Sequence, residues 1–227
     1  RSFDAVRAVA AKLPVIWRYA SGVTTHERAA AFFARLDAVR VPGRGAQSDA
    51  EISVELGSRP AEMAEFVAAL SSDDRIRRVR DACYFAWRYA NPLHEYRCVR
   101  AERGGRLCGF LVVERALSDL ANLRRCHIAD WDADTAEVSA DLLRFVLEVG
   151  RPAELVTWQE SGGASERSAL EEAGFRPIDA EQTKRGLPSI LVWPVDPAAD
   201  PQRLCLDGRS LLDLANWDLR LADTSYA

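Results

Sequence analysis

Apolar and polar residues alternate through Ile52–Leu56 (ISVEL), the pattern of a half-buried strand. The next stretch, RPAEMAEFVAAL, carries its apolar residues at helical spacing, with Pro60 where a helix starts. The same spacing predicts a second helix from about Asp74 to Tyr89, halted by Asn91-Pro92. EYRCVRAE (Glu95–Glu102) and RLCGFLVVERA (Arg106–Ala116) flank Arg103-Gly104-Gly105 and predict a hairpin. Asn122–Trp131 reads as the next strand. DADTAEVSADLLRFVLEVG then predicts an amphipathic helix, with Thr135 in an acidic start and Gly150 as its stop. A short β-branched run (Glu154–Trp158), a loop and helix ended by Gly174, and a strand at Pro188–Val195 complete the series.

Upstream of this series the chain reads differently. Residues 3–12 and 26–39 are short helical patterns, and Val41–Asp49 (VPGRGAQSD) reads as a linker. Residues 1–50 are therefore expected to be a helical linker or the tail of a preceding domain. Residues 51–195 are expected to form one domain and 196–227 a C-terminal extension. The order of elements predicts an α/β fold, a mixed and mostly antiparallel sheet flanked by helices on both faces. A first residue Arg1, with Met63 as the one methionine, reads as a piece of a longer protein or as a chain already processed.

Composition narrows the classes. The 227 residues are 48% hydrophobic and 28% charged, enough apolar surface for a core. A net charge of -4 lacks the basic excess of a nucleic-acid binder, so no nucleic-acid partner is expected. No apolar run is long enough for a membrane-spanning helix and no secretory signal is visible, so a cytoplasmic chain without a membrane partner is expected. Five cysteines, none in a CxxC, argue against a disulfide framework, and Cys98, Cys108 and Cys126, in strand-like apolar stretches, read as buried small hydrophobes. His26, His94 and His127 lack metal-ligand spacing, and no metal is expected.

The order strand, helix, helix, three strands, helix, strand, helix resembles the GNAT acyl-CoA N-acyltransferases. The residues that carry the likeness are NLRRCHIADW, LLRFVLEVG, ELVTW and SERSALEEAGFRP, with Leu170 to Gly174-Phe175 as the closing motif, and earlier DACYFAWRYANPLHEYRCVRAERGGRLCGFLVVE. It covers about residues 51–195, and the chain resembles a C-terminal domain of bacterial tandem members. The resemblance implies a fourth and a fifth strand that splay apart. The pantetheine arm of acetyl-CoA or another acyl-CoA would lie between them, on backbone groups that include Ile128. It implies a pyrophosphate at the following helix start, on Ala133, Asp134, Thr135, Ala136 and Glu137, with help from Arg124, Arg125 or Arg167. Here the sequence departs from the family. Asp132–Glu137 has no glycine and three acids, which oppose an anion by like-charge repulsion, unless Asp132 and Asp134 cap the helix or point away.

Acyl transfer to an amine needs a group that takes the amine's proton. The candidates are His127, Asp130 and Glu160, each with a bland alternative: a structural strand histidine, a structural aspartate and a solvated loop glutamate. Leu170 stands where the family often has a tyrosine acid. Tyr84 and Arg88 share a helix face, and an exposed Arg88 would suit an acidic or sugar-bearing acceptor. The expected function is transfer of an acetyl or other acyl group to an amine of a small molecule or peptide by direct attack. The partners would be that acceptor and a neighbouring GNAT-like domain. The alternative is a non-catalytic binding or assembly module with a degenerate CoA site.

Overall fold

The predicted hairpin turns at Gly104 and Gly105, both at positive φ where a Cβ is disfavoured. It is the centre of a computed structural model that describes residues 16–20, 28–70, 75–116, 126–152, 154–158, 164–177, 205–210 and 216–218. In chain order the elements are β1 (Ile16–Ala20), α1 (Arg28–Asp37), β2 (Gly43–Arg44), β3 (Glu51–Glu55), α2 (Pro60–Ala69), β4 (Ile76–Arg77), α3 (Ala82–Arg88), β5 (His94–Arg103), β6 (Arg106–Ala116), β7 (Cys126–Ala133), α4 (Ala136–Gly150), β8 (Glu154–Trp158), α5 (Ala164–Glu172) and β9 (Arg176–Pro177). The short strands β10 (Cys205–Leu206), β11 (Arg209–Ser210) and β12 (Trp217–Asp218) follow. The helix expected over residues 3–12 and the strand expected at Pro188–Val195 lie outside the described residues.

Eight strands form one sheet in the order β2-β3-β5-β6-β7-β8-β1-β9. Its described pairs are antiparallel except β7 with β8. The fold is therefore α/β with a mixed, mostly antiparallel sheet. Strand residues alternate between two cores. Val99, Ala101, Leu111, Val113 and Ile128 face α1, α4 and α5, against Phe32, Phe33, Leu142, Val146 and Leu170. Tyr96, Cys98, Phe110, Val112 and Ala129 face α2 and α3, against Met63, Tyr84 and Phe85. Helices thus cover both faces.

Two stretches differ from the sequence reading. Among the described residues of the expected 74–89 helix, Ala82–Arg88 are helical: Asp81 caps the helix, accepting from Tyr84 N at 2.7 Å, and Ile76–Arg77 pair with β12 instead. The expected linker 41–49 is part of the fold. Gly43–Arg44 pair with β3, and the turn at residues 46–48 closes on the α4 carboxylate Asp141. The packing shows no break at residue 50, since Phe32, Phe33 and Leu36 of α1 share the core of β5–β8 and α4.

The seam between α1 and α4 is close. Arg35 donates from Nε to the Gly150 carbonyl at 2.7 Å and from Nη2 to the Arg151 carbonyl at 3.0 Å, joining a cation to a helix C-terminus. A Cβ at Gly150 would overlap the ring of the fully buried Phe32. Gly150→Ala is expected to destabilise by about 1–3 kcal/mol through overpacking. The check is a lower urea midpoint with unchanged slope.

Candidate functional site

The described parallel pairing of β7 with β8 covers Cys126↔Leu155, His127↔Val156 and Ile128↔Thr157. Beyond Ile128, β7 continues to Ala133 beside β6. A β-bulge lies just past that pairing: Val113 faces Ile128 and Val112 faces Asp130, so Ala129 is the extra residue. Ile128 is the last β7 residue of that pairing. Its side chain is core, and its carbonyl accepts from Thr157 Oγ1 at 3.4 Å.

The end of β7 leads into the N-terminus of α4. Thr135 caps this helix, its Oγ1 accepting from Val138 N at 3.3 Å, and Ser139 N bonds to the Thr135 carbonyl. Capping by Asp132 or Asp134, the alternative the sequence left open, does not occur. The Asp134 amide donates to the Cys108 carbonyl at 2.9 Å. The Ala136 and Glu137 amides lie in the first turn, where a helix offers N–H groups without intrahelical acceptors.

The acids at this helix start are held by arginines. Arg80, itself buried, donates from Nη1 to Asp130 Oδ1 at 2.9 Å and to Asp132 Oδ2 at 2.5 Å. Arg103 reaches Asp134 Oδ2 at 3.3 Å from the β5–β6 hairpin. Asp132 and Asp134 therefore each have an arginine partner within the fold, Arg80 being shared with Asp130, and Glu137 is the exposed acid of the first turn. Ala133 is half-buried, Ala136 is exposed, and Arg167 is exposed on α5. Arg124, Arg125 and Glu160 lie outside the described residues.

Beneath α3 the same sheet face carries a buried polar cluster. Glu114 of β6 is 1% exposed. Its Oε2 lies 3.4 Å from Arg88 Nη2 and 3.7 Å from His94 Nδ1, and its Oε1 lies 3.8 Å from His127 Nδ1. Burial pushes the Glu114 carboxyl up to about 7, while Arg88 pulls the other way. Burial, helped by Arg88, lowers His94. Burial drives the Tyr96 hydroxyl to about 12 and, with Asp130 adding to it, the Tyr89 hydroxyl well above its ordinary value. Tyr89 Oη lies 3.4 Å from Asp130 Oδ2 and so links the cluster to the bulged part of β7. A cleft of about 240 Å3 opens beside these residues, lined by Ser58, Tyr89, His94, Tyr96 and Val112 among others.

His127 and Asp130 thus share one face of the sheet, His127 half-buried and Asp130 fully buried. Arg88 is buried on Glu114 and on Tyr96 Oη, to which its Nη1 donates at 3.3 Å, so it does not await an acidic acceptor. Tyr84 is buried as well, and Leu170 is core. Sequence reading missed Glu114 and Arg80. The signal for Glu114 was present: a carboxylate at an inward position of the apolar run FLVVE. No family model matches this chain, and no curated protein matches it.

Proposed function

We propose that this chain is a GNAT-like N-acyltransferase that moves an acetyl or other acyl group from acyl-CoA to an amine of a small molecule or peptide. The observation that carries the reading is the short parallel pairing of β7 with β8 through Ile128↔Thr157, followed by a bulge at Ala129 and a run of β7 that leads to a capped helix start. An extended arm beside β7 would be held as an added strand. The Ala136 and Glu137 amides would meet the pyrophosphate, with Asp132 and Asp134 already occupied by Arg80 and Arg103. Acyl-CoA supplies a thioester carbonyl and a thiolate leaving group. The protein's part is to hold the amine against it and accept a proton, and the residues on the right face are His127, Asp130 and Glu114.

The acceptor and a neighbouring GNAT-like domain are the partners this reading implies. It places the chain in the cytoplasm, where acyl-CoA is made and the five free cysteines stay reduced. Among the described residues, no helix is long and apolar enough to cross a membrane. Leu170 in the core and Glu137 exposed at the helix start favour a second reading, a non-catalytic module with a degenerate site.

Thermal unfolding with acetyl-CoA separates the two. Ligand at about 100 times its Kd adds about 2.7 kcal/mol. At about 2–4 °C per kcal/mol, the expected rise in Tm is about 5–10 °C. No rise with acetyl-CoA or longer acyl-CoAs at millimolar concentration would decide for the module.

A further inference from the structure

Strand β3 pairs with β5 as far as Glu55↔Cys98, and the chain then turns at Leu56–Arg59 into α2. The cleft of about 240 Å3 is lined by that turn, by the first half of β5 and by Tyr89, the C-cap of α3. Three of its lining residues are aromatic. Tyr96 stands edge-on to Tyr89, their centroids 5.2 Å apart, and lies nearly parallel to His94 at 5.9 Å. Both tyrosine hydroxyls are engaged with buried groups. Arg88 donates to Tyr96 Oη at 3.3 Å, and Tyr89 Oη lies 3.4 Å from Asp130 Oδ2. The two rings are thereby fixed, and what they offer a ligand is carbon and π surface. Leu56 lines the same concave site and is 72% exposed, so a ligand there would take apolar surface out of water.

The charges around the cleft already have partners. Glu95 lies against Arg97 and Arg115, and Arg97 also holds Asp37. Arg88 occupies the cation–π position on Tyr96, its Cζ 5.9 Å from the ring centroid. A ligand cation would meet that guanidinium, and a ligand anion would meet Glu95. Burial, with Arg88 adding to it, lowers the His94 pKa and keeps the imidazole neutral near pH 7. Its Nδ1 is buried beside Glu114, so the ring edge that carries Nε2 is the one able to serve a ligand. Ser58 adds a hydroxyl to the lining.

We propose that this cleft binds a small, uncharged aromatic ring carrying one hydrogen-bond donor, a phenol or an indole. The ring lies against Tyr89, Tyr96 and Leu56, and its O–H or N–H donates to His94 or Ser58. The size agrees. An apolar cavity of about 150 Å3 takes benzene, and the larger volume here leaves room for a substituent or a second ring. The site is separate from the acyl-transfer reading and does not rest on it.

The test is a titration of the full chain with 4-methylphenol and with indole, followed by the amide 1H–15N shifts. Saturable shifts are expected at Leu56, Gly57 and Ser58 and over His94–Cys98, with a Kd of about 1 mM or tighter, the range for a ligand of this size. Benzoate and benzylammonium put a charge on a similar ring and should bind at least about 10-fold more weakly. Leu56→Ser changes an exposed position and leaves the core intact; it should weaken 4-methylphenol about 5-fold. Leu206→Ser, at an exposed leucine outside the cleft, should leave the Kd unchanged.

Absence of saturable shifts at these amides would overturn the proposal. Equal affinity for the charged analogues, or an unaltered Kd in Leu56→Ser, would do the same. N-acetyltyrosinamide distinguishes the two sources of such a ring: tighter binding than 4-methylphenol assigns the cleft to a tyrosine side chain of a peptide, and weaker binding assigns it to a free small molecule. The acetyl-CoA thermal shift is measured without these probes, so either reading can fail while the other stands.

Discussion

Replacing Arg80 by methionine is expected to destabilise the protein by about 3–5 kcal/mol, the range for breaking a buried ion pair by removing one partner. The Arg80 side chain is 4% exposed, and it serves Asp130 and Asp132 together. Methionine fills similar volume, so the loss is electrostatic rather than a cavity. Two buried carboxylates would lose the cation they share. The companion variant Arg80→Met/Asp132→Asn should recover a substantial part of the loss, since it removes one of the two charges. A double-mutant cycle in urea measures the coupling directly. Strict additivity of the two substitutions would show that the pair does not interact as its 2.5 Å separation implies. Under the proposed function the same variant should also lose most of its acetyl-CoA thermal shift, because Asp132 would then repel the pyrophosphate.

Asp141→Ala is expected to cost about 3–4 kcal/mol, from several charge-assisted hydrogen bonds lost at one buried site. Asp141 projects from α4 and accepts from the amides of Ala46, Gln47 and Ser48 at 3.1, 3.0 and 2.8 Å, and from Ser48 Oγ at 2.7 Å. Arg144 adds a bond at 2.9 Å. Asp141→Asn keeps the shape but brings an amide donor against donors, and about 2 kcal/mol of loss is expected. The dependence on pH follows from the carboxyl's lowered pKa. Burial raises it, and the hydrogen bonds from Ser48, Gln47 and Ala46 outweigh burial. A group depressed in the folded state stabilises above its unfolded value, here 3.8, and that contribution is lost as pH falls through the folded value. The gap between wild type and Asp141→Asn should therefore be constant from pH 5 to 8 and shrink below pH 4. A gap that widened on acidification would contradict the assignment.

Asp141 also marks the limit of what the chain's pattern reveals. VPGRGAQSD has the composition of a linker, and nothing local indicates that its amides close on a carboxylate about 95 residues onward. Helix α4 was legible from its own periodicity and from Thr135, which caps it as a threonine there should. The hairpin was legible from Arg103-Gly104-Gly105. The 74–89 helix was overestimated, because the DRIRRVRD run has helical spacing but its first part is taken by β12 from far along the chain. Tertiary pairing overrode propensity.

The same distinction holds at the candidate site. His127 and Asp130 stood out as polar residues in a strand, and the geometry puts them on one face. The acid-rich start of α4 looked hostile to an anion because its arginine partners, Arg80 and Arg103, are 52 and 31 residues away in sequence. Spacing arguments see neighbours along the chain, and these charges are neighbours only across the sheet.

Strand β1 lies between β8 and β9 and is antiparallel to both. During synthesis β1 emerges well before either of its partners. At about 5–20 residues per second, on the order of ten seconds separates Ile16 from its partner Trp158. Through that interval the strand IWRYA has no sheet to join, and the ribosome-bound chain carries an unpaired apolar strand. Long-range pairing of this kind makes the final closure of the sheet slow.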